Sequence, residues 1–203
     1  MCLPTSATLI VIDVQEGFDA AYWGERNNPG AEHLIERLLA RWRASKRPVI
    51  HVRHDSTEPR SALRPDTPGN AIKKEAAPKP GEAVLGKRVN SAFIGTDLEA
   101  RLEAQGSDTV VLCGFTTNHC VSTTARMASN LGFRTFVLSD CTVAFATQGP
   151  GPKGRLIPAA VMHEVGLAEL HGEFATIVTT DELLTLLAAE PDVARSVLSA
   201  ARP

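Results

Sequence analysis

The segment VLCGFTTNHCVSTTARMASNLGF, residues 111–133, sets Cys120 where an apolar, β-branched run gives way to a helical pattern. A thiol there can pack as a small apolar side chain, the usual fate of a free cysteine and the reading that suits Cys113 inside the run. It can also act as a nucleophile. With Asn118 as N-cap, Cys120 falls in the first helical turn, where free backbone N–H groups and the helix dipole favour a thiolate and could hold an oxyanion. Position alone leaves both open. A nucleophilic thiol also needs a base. His119 is its neighbour, but consecutive helical residues point about 100° apart, so His119 lines a pocket or faces solvent instead. Asp13, ending the first apolar run, is the better carboxylate, although it could merely cap a loop. Lys87 is either a solvated lysine or, placed beside the sulfur, a group that lowers the thiol pKa.

These groups must be positioned by elements that the hydrophobic pattern announces. ATLIVID (7–13), PVIHVRH (48–54), AVLGK (83–87), DTVVLCGF (108–115), FRTFVLSD (133–140) and EFATIVT (173–179) are short runs with the apolar character of strands buried on both faces. Helical patterns lie between them. Ala31, Leu34, Ile35, Leu38, Leu39 and Trp42 form one stripe behind Asn28 as cap and Pro29 as first helical residue. TDLE (96–99) is a capping box whose helix carries Leu98 and Leu102 and stops at Gly106. Further helices are expected from about His119 to Leu131, closed by Gly132, then across roughly 156–171 and over 180–188. Such alternation predicts an α/β fold of three αβα layers: a doubly wound, mostly parallel six-stranded sheet in one domain spanning 1–203, with its core at about 7–188 and a tail at 189–203. Ligands bind such sheets beyond the carboxyl ends of the strands. Asp13, His54, Asp55, Lys87, the Thr116–Cys120 turn and Asp140 lie there. Two proline- and glycine-bearing stretches, 55–83 and 147–154, read as loops, the longer one as a lid or a partner contact.

Composition narrows the function classes. A net charge of −2 with no dense Lys/Arg cluster argues against nucleic acid, and the absence of any apolar run near 18 residues argues against a membrane span. Four cysteines without CxxC spacing, and no basic segment ahead of an apolar one at the N-terminus, suit a cytoplasmic protein with reduced thiols. HVRHD (51–55) invites a metal, yet on one strand His51 and His54 point to opposite faces, so no metal and no other cofactor is expected.

LIVIDVQEGF (9–18), GKRVNSAFIGTDLEARL (86–102) and VVLCGFTTNHCVSTTARMASNLGF (110–133) resemble, in the right order, three signature segments of the isochorismatase-like cysteine hydrolases. That family includes nicotinamidases, N-carbamoylsarcosine amidase, and ureidoacrylate and maleamate amidases. The likeness runs over about residues 7–180. It implies an Asp13–Lys87–Cys120 catalytic triad and a cis peptide between Phe115 and Thr116 that turns the Thr116 N–H inward. With the Cys120 N–H, it would form an oxyanion hole. It also implies hydrolysis of a small amide or ureido compound through a thioester, and assembly into a homo-oligomer such as a dimer or tetramer. Gln15, Phe18, Asn90, Phe93, Asn118 and His119 are the candidate substrate contacts around this set, with Trp23 a weaker one; Phe18 and Phe93 could instead be core, and Gln15 a brace for the Asp13 loop. The D-x-H metal motif of nicotinamidases reads Val52-Arg53-His54 here, a departure that counts against both the metal and nicotinamide. The rival expectations are a vinyl-ether hydrolase that does not use the cysteine, and a catalytically silent or redox-sensing member of the fold.

Overall fold

A computed structural model describes residues 3–188. The 189–203 tail lies outside the described residues. The chain alternates β1 (Thr8–Ile12), α1 (Ala31–Ala44), β2 (Val49–His54), β3 (Ala83–Lys87), α2 (Leu98–Ala104), β4 (Thr109–Phe115), α3 (Ser122–Asn130), β5 (Arg134–Val143), the short β6 (Thr147–Gln148) and β7 (Leu156–Ile157), α4 (Ala159–Ala168), β8 (Thr176–Val178) and α5 (Thr180–Ala188). Six strands form one sheet in the order β3-β2-β1-β4-β5-β8, with every neighbouring pair parallel. Both faces are covered, so β1 and β4 are buried along their whole length. On one face Leu9 and Val11 pack with Ile35, Leu38, Leu39 and Trp42 of α1 and Leu183 and Leu186 of α5. On the other, Ile10, Ile12, Ile50 and Val52 meet Leu98 and Leu102 of α2, Ala125 and Ala128 of α3, and Leu170 just past α4. Burial of a Leu or Ile of this kind contributes about 1.5–3 kcal/mol, and this double-sided packing is what fixes the strand ends in space.

Several boundaries move for identifiable reasons. Asn28 does not cap α1: it sits at φ 45° and donates its side-chain amide to the Ser139 and Thr142 carbonyls at 2.8 Å each, pinning the α1 approach to β5. The helix expected across 156–171 starts only at Ala159, because Leu156 and Ile157 pair antiparallel with Thr147 and Gln148 and Pro158 is extended (ψ 147°). The 147–154 stretch is thereby closed into a small hairpin. β5 outruns its expected end at 140. After a register shift between Leu112 and Gly114, Thr142 and Val143 continue alongside Gly114 and Phe115. That shift needs glycine: Gly114 lies at φ +116°, and a Cβ there would meet the Ile12 carbonyl oxygen at 2.0 Å.

The 55–82 segment has no strand, only single 3-10 turns at Pro68–Asn70 and Lys74–Ala76. It is nevertheless tied down. Gln15 and Ile72 form an antiparallel bridge, the Lys73 N–H donates to the Val14 carbonyl at 2.9 Å, and Lys73 Nζ pairs with Asp19 and Glu32. A segment so anchored forms a wall beside the carboxyl end of β1. Among the described residues, no helix is long and apolar enough to cross a membrane.

Candidate active site

Three strand ends converge beside this wall. Asp13 follows β1 at φ 52°, a left-handed conformation that Asp tolerates, and its N–H donates to the Val52 carbonyl at 2.8 Å. Lys87 closes β3 and stands in register with His54, the last residue of β2. Cys120 comes from the turn after β4. That turn (Thr117–Val121) is π-helical: the Thr116 carbonyl accepts from the His119 N–H at 3.2 Å and from the Val121 N–H, five residues on, at 3.1 Å. Asn118 is therefore inside the turn and is not its N-cap. The Phe115–Thr116 peptide is cis.

Lys87 Nζ is the hub. It donates to Asp13 Oδ2 at 2.6 Å, to His54 Nδ1 at 3.0 Å and to Cys120 Sγ at 3.2 Å. An ammonium has three protons and no acceptor, so its donors are used up, and His54 must accept at Nδ1 and carry its own proton on Nε2. Neither Asp13 nor Lys87 has an exposed side-chain surface. Asp13 Oδ1 is buried without a hydrogen-bond partner among the described residues, which leaves one carboxylate oxygen able to take up a proton.

Burial dominates the electrostatics. It raises the Asp13 carboxyl above its ordinary 3.8, against the opposing pull of Lys87. It pushes the Cys120 thiol up to about 12, with the Asp13 charge adding to the rise and Lys87 only partly countering it. Lys87 lowers the thiol as its residue type suggests, but the net direction is upward. Desolvation and a neighbouring carboxylate outweigh one ammonium, and in the free protein the sulfur keeps its proton. Burial together with Lys87 takes His54 down to about 4, so its ring is neutral at pH 7. His119 is also lowered by burial.

A cavity of about 330 Å³ opens onto Asp13, His54, Thr116 and Cys120. Phe18, Trp23 and Leu63 form its apolar side; Ser56, Glu58 and Ser61 come from the anchored wall, and Asn90 and His119 complete it. Of the candidate substrate contacts, Phe18, Asn90 and His119 line this space, Asn90 Oδ1 lying 3.9 Å from the sulfur. Trp23 lines it too. Asn118 faces an adjoining recess of about 210 Å³ shared with His119 and Trp23. Gln15 and Phe93 do not line the cavity. The Gln15 amide is fully committed, donating to the His54 and Asn70 carbonyls at 3.1 and 2.9 Å and accepting from the His54 N–H at 2.8 Å. Phe93 packs on Phe133, ring centroids 6.0 Å apart, within the α2–α3 core. Asp140 is outside as well, accepting from the N–H and hydroxyl of Thr180 at the start of α5. Asp55 braces the wall through Arg53 and Asn70. His54, which the sequence places at the strand ends without a role in the triad, holds the third proton of Lys87. The polar lining from 56–61 sits in a stretch without periodicity and gave no signal.

Asp13, His54 and Cys120 offer atoms within 4.8 Å of one another, the arrangement that could hold a metal ion. Lys87 Nζ makes a hydrogen bond to each of the three. The ammonium therefore supplies the positive charge this set needs, and an ion would have to displace it. His51 is on the other face, bonded to Glu82 at 2.9 Å.

The Isochorismatase domain model matches residues 7–182. The chain is 47% identical over 176 residues to the uncharacterized isochorismatase family protein YrdC of Bacillus subtilis, covering 87% of this chain and 93% of that one. It is 35% identical over 117 residues to a maleamate amidohydrolase of Pseudomonas putida, covering 58% of this chain and 49% of that one. A crystal structure of an isochorismatase-family hydrolase from Chromobacterium violaceum superposes with a TM-score of 0.87 at 41% identity, covering 93% of this chain and 98% of that one.

Proposed function

The chain belongs to the isochorismatase family of hydrolases, and from that premise we propose that it cleaves a carbon–nitrogen amide bond of a small amide or ureido compound through a Cys120 thioester. The observation that carries the reading is Lys87 Nζ bonded at once to Asp13 and Cys120 beside a cavity of small-molecule size.

Because burial and the Asp13 charge push the resting thiol well above its ordinary range, pre-forming the thiolate at pH 7 is costly. Deprotonation is therefore coupled to attack. Asp13 takes the thiol proton as the S–C bond forms, and the charge passes to the carbonyl oxygen, which the Thr116 and Cys120 N–H groups receive. Such a donor is typically worth about 3 kcal/mol in the transition state. Lys87 keeps Asp13 ionised and oriented while the negative charge moves from carboxylate to sulfur to oxygen. The C–N bond then breaks as Asp13 returns its proton to the leaving nitrogen, releasing ammonia or an amine. Water, giving a proton to Asp13, adds to the thioester; collapse frees the acid, and the proton returns to sulfur.

Ammonia release from a panel of primary amides and ureido compounds, including maleamate, N-carbamoyl amino acids and nicotinamide, tests the reading. Turnover is expected in the native protein and none in a folded Cys120→Ala variant; undiminished activity in that variant would overturn it. A vinyl-ether hydrolase would instead keep its activity without the sulfur. A redox-sensing thiol is disfavoured, since oxidation follows thiolate character and exposure, and Cys120 has little of either. Assembly into a homo-oligomer belongs to the same proposal and is read by light scattering.

A further inference from the structure

Resting on the amide-hydrolase reading, we propose that the acyl part of the substrate is uncharged or cationic, held by Phe18, Trp23 and Glu58, and that amides bearing an acyl carboxylate are turned away. The charges of the cavity carry this. Among the described residues, no lysine or arginine lines it. Lys87 beneath it has three donors, given to Asp13, His54 and Cys120, so none remains for a substrate carboxylate. The two lining histidines, His54 and His119, are held below their ordinary range by burial and are neutral at pH 7. The anionic groups of the lining are Asp13 and Glu58. A carboxylate entering here would lose its hydration, meet Glu58 as an unpaired like charge and find no free counter-charge, because the one ammonium beneath the cavity is already paired with Asp13.

A cation meets the opposite surroundings. The Phe18 and Trp23 rings lie 5.0 Å apart on the apolar wall, and Tyr22 continues the aromatic surface 5.3 Å from Trp23. Glu58 lines both the cavity and an outer groove of about 740 Å³ that Tyr22 and Trp23 share, and it has no ion-pair partner among the described residues. Aromatic faces beside a free carboxylate favour an ammonium. Arg60 lines the outer groove and not the cavity. Maleamate, itself a carboxylate, falls on the excluded side.

Three primary amides with four-carbon chains separate charge from size: butanamide, 4-aminobutanamide and succinamate. Ammonia release by the native protein should give kcat/KM for succinamate at least about tenfold below butanamide, with 4-aminobutanamide equal to or above it. Glu58→Gln should cut any advantage of 4-aminobutanamide by roughly threefold, the scale of a solvent-facing ion pair. Arg60→Ala should leave the order of the three unchanged. Calorimetric titration of Cys120→Ala with the same amides reads binding without chemistry. Hydrolysis with succinamate preferred overturns the charge selection and leaves the amidase reading intact. Tighter binding of the neutral and cationic amides with no hydrolysis of any overturns the amidase reading and leaves the selection intact. Equal binding and turnover of all three overturn the selection.

Discussion

Lys87→Met gives the sharpest perturbation, because it removes one charge from a pair with no solvent access. At 2.6 Å the pair attracts by roughly 6 kcal/mol at an effective dielectric of about 20. Taking both ions out of water costs several kcal/mol, so the intact pair adds little net stability, whereas stranding one partner typically costs about 3–5 kcal/mol. Met fills much of the lysine volume and isolates the charge effect. The stranded Asp13, already raised above 3.8 by burial, should take up a proton and cease to act as a base at neutral pH. Activity should therefore fall by at least about a thousandfold at pH 7, and what remains should appear only at higher pH, because removing Lys87 moves the Asp13 acid limb upward. Asp13→Asn should lose activity likewise and leave Lys87 bonded to His54 and Cys120. The double variant should be destabilised by less than the sum of the two single ones, by about 2 kcal/mol or more, since neither charge is left alone. Urea denaturation of all four proteins measures the coupling, and pH profiles of kcat/KM measure the base. Additive destabilisation within about 0.5 kcal/mol, or Lys87→Met turnover within tenfold of native at pH 7, would refute the reasoning.

Alkylation of Cys120 by iodoacetamide at pH 7 should run roughly a thousandfold slower than that of a free thiol with pKa near 8.5, as a titration near 12 requires; an apparent pKa below 7 would contradict the burial argument. His54 titrates lower in the folded than in the unfolded chain, about 4 against 6.5, so the unfolded state binds its proton first. The stability His54 contributes at pH 7 should be lost as pH falls from 6.5 through 4, by about 2–3 kcal/mol, and His54→Gln should remove that portion from urea curves taken at pH 7 and pH 4. The same variant should slow turnover about tenfold by releasing one bond on Lys87, with its acid limb displaced; an unchanged pH profile would make His54 merely structural. Gly114→Ala drives a Cβ to 2.0 Å from the Ile12 carbonyl at φ +116°, one residue from Asp13, and should cost at least about 3 kcal/mol in thermal or urea unfolding.

The layers of this protein were legible in its sequence because continuous β-branched runs, separated by stripes of apolar residues, have few ways to hide both faces of a sheet. ATLIVID and DTVVLCGF became β1 and β4, the two strands buried throughout, and the stripe from Ala31 to Trp42 became α1. The presence of one carboxylate, one lysine and one cysteine at strand ends was legible too, since alternating strands and helices send carboxyl ends to one edge. Their meeting was not. It follows from the order β3-β2-β1-β4 and from the register that sets His54 beside Lys87, and both are made by contacts between residues far apart in the chain. Side-chain fate was decided at the same level: Gln15 and Phe18 sit three residues apart after β1, yet one spends its amide on β2 and the other walls the cavity. The ionisation of Cys120 was likewise decided there. Residue types supply a thiol and an ammonium, but the depth of burial and the nearness of Asp13 determine which of them prevails, and only the folded chain sets those distances.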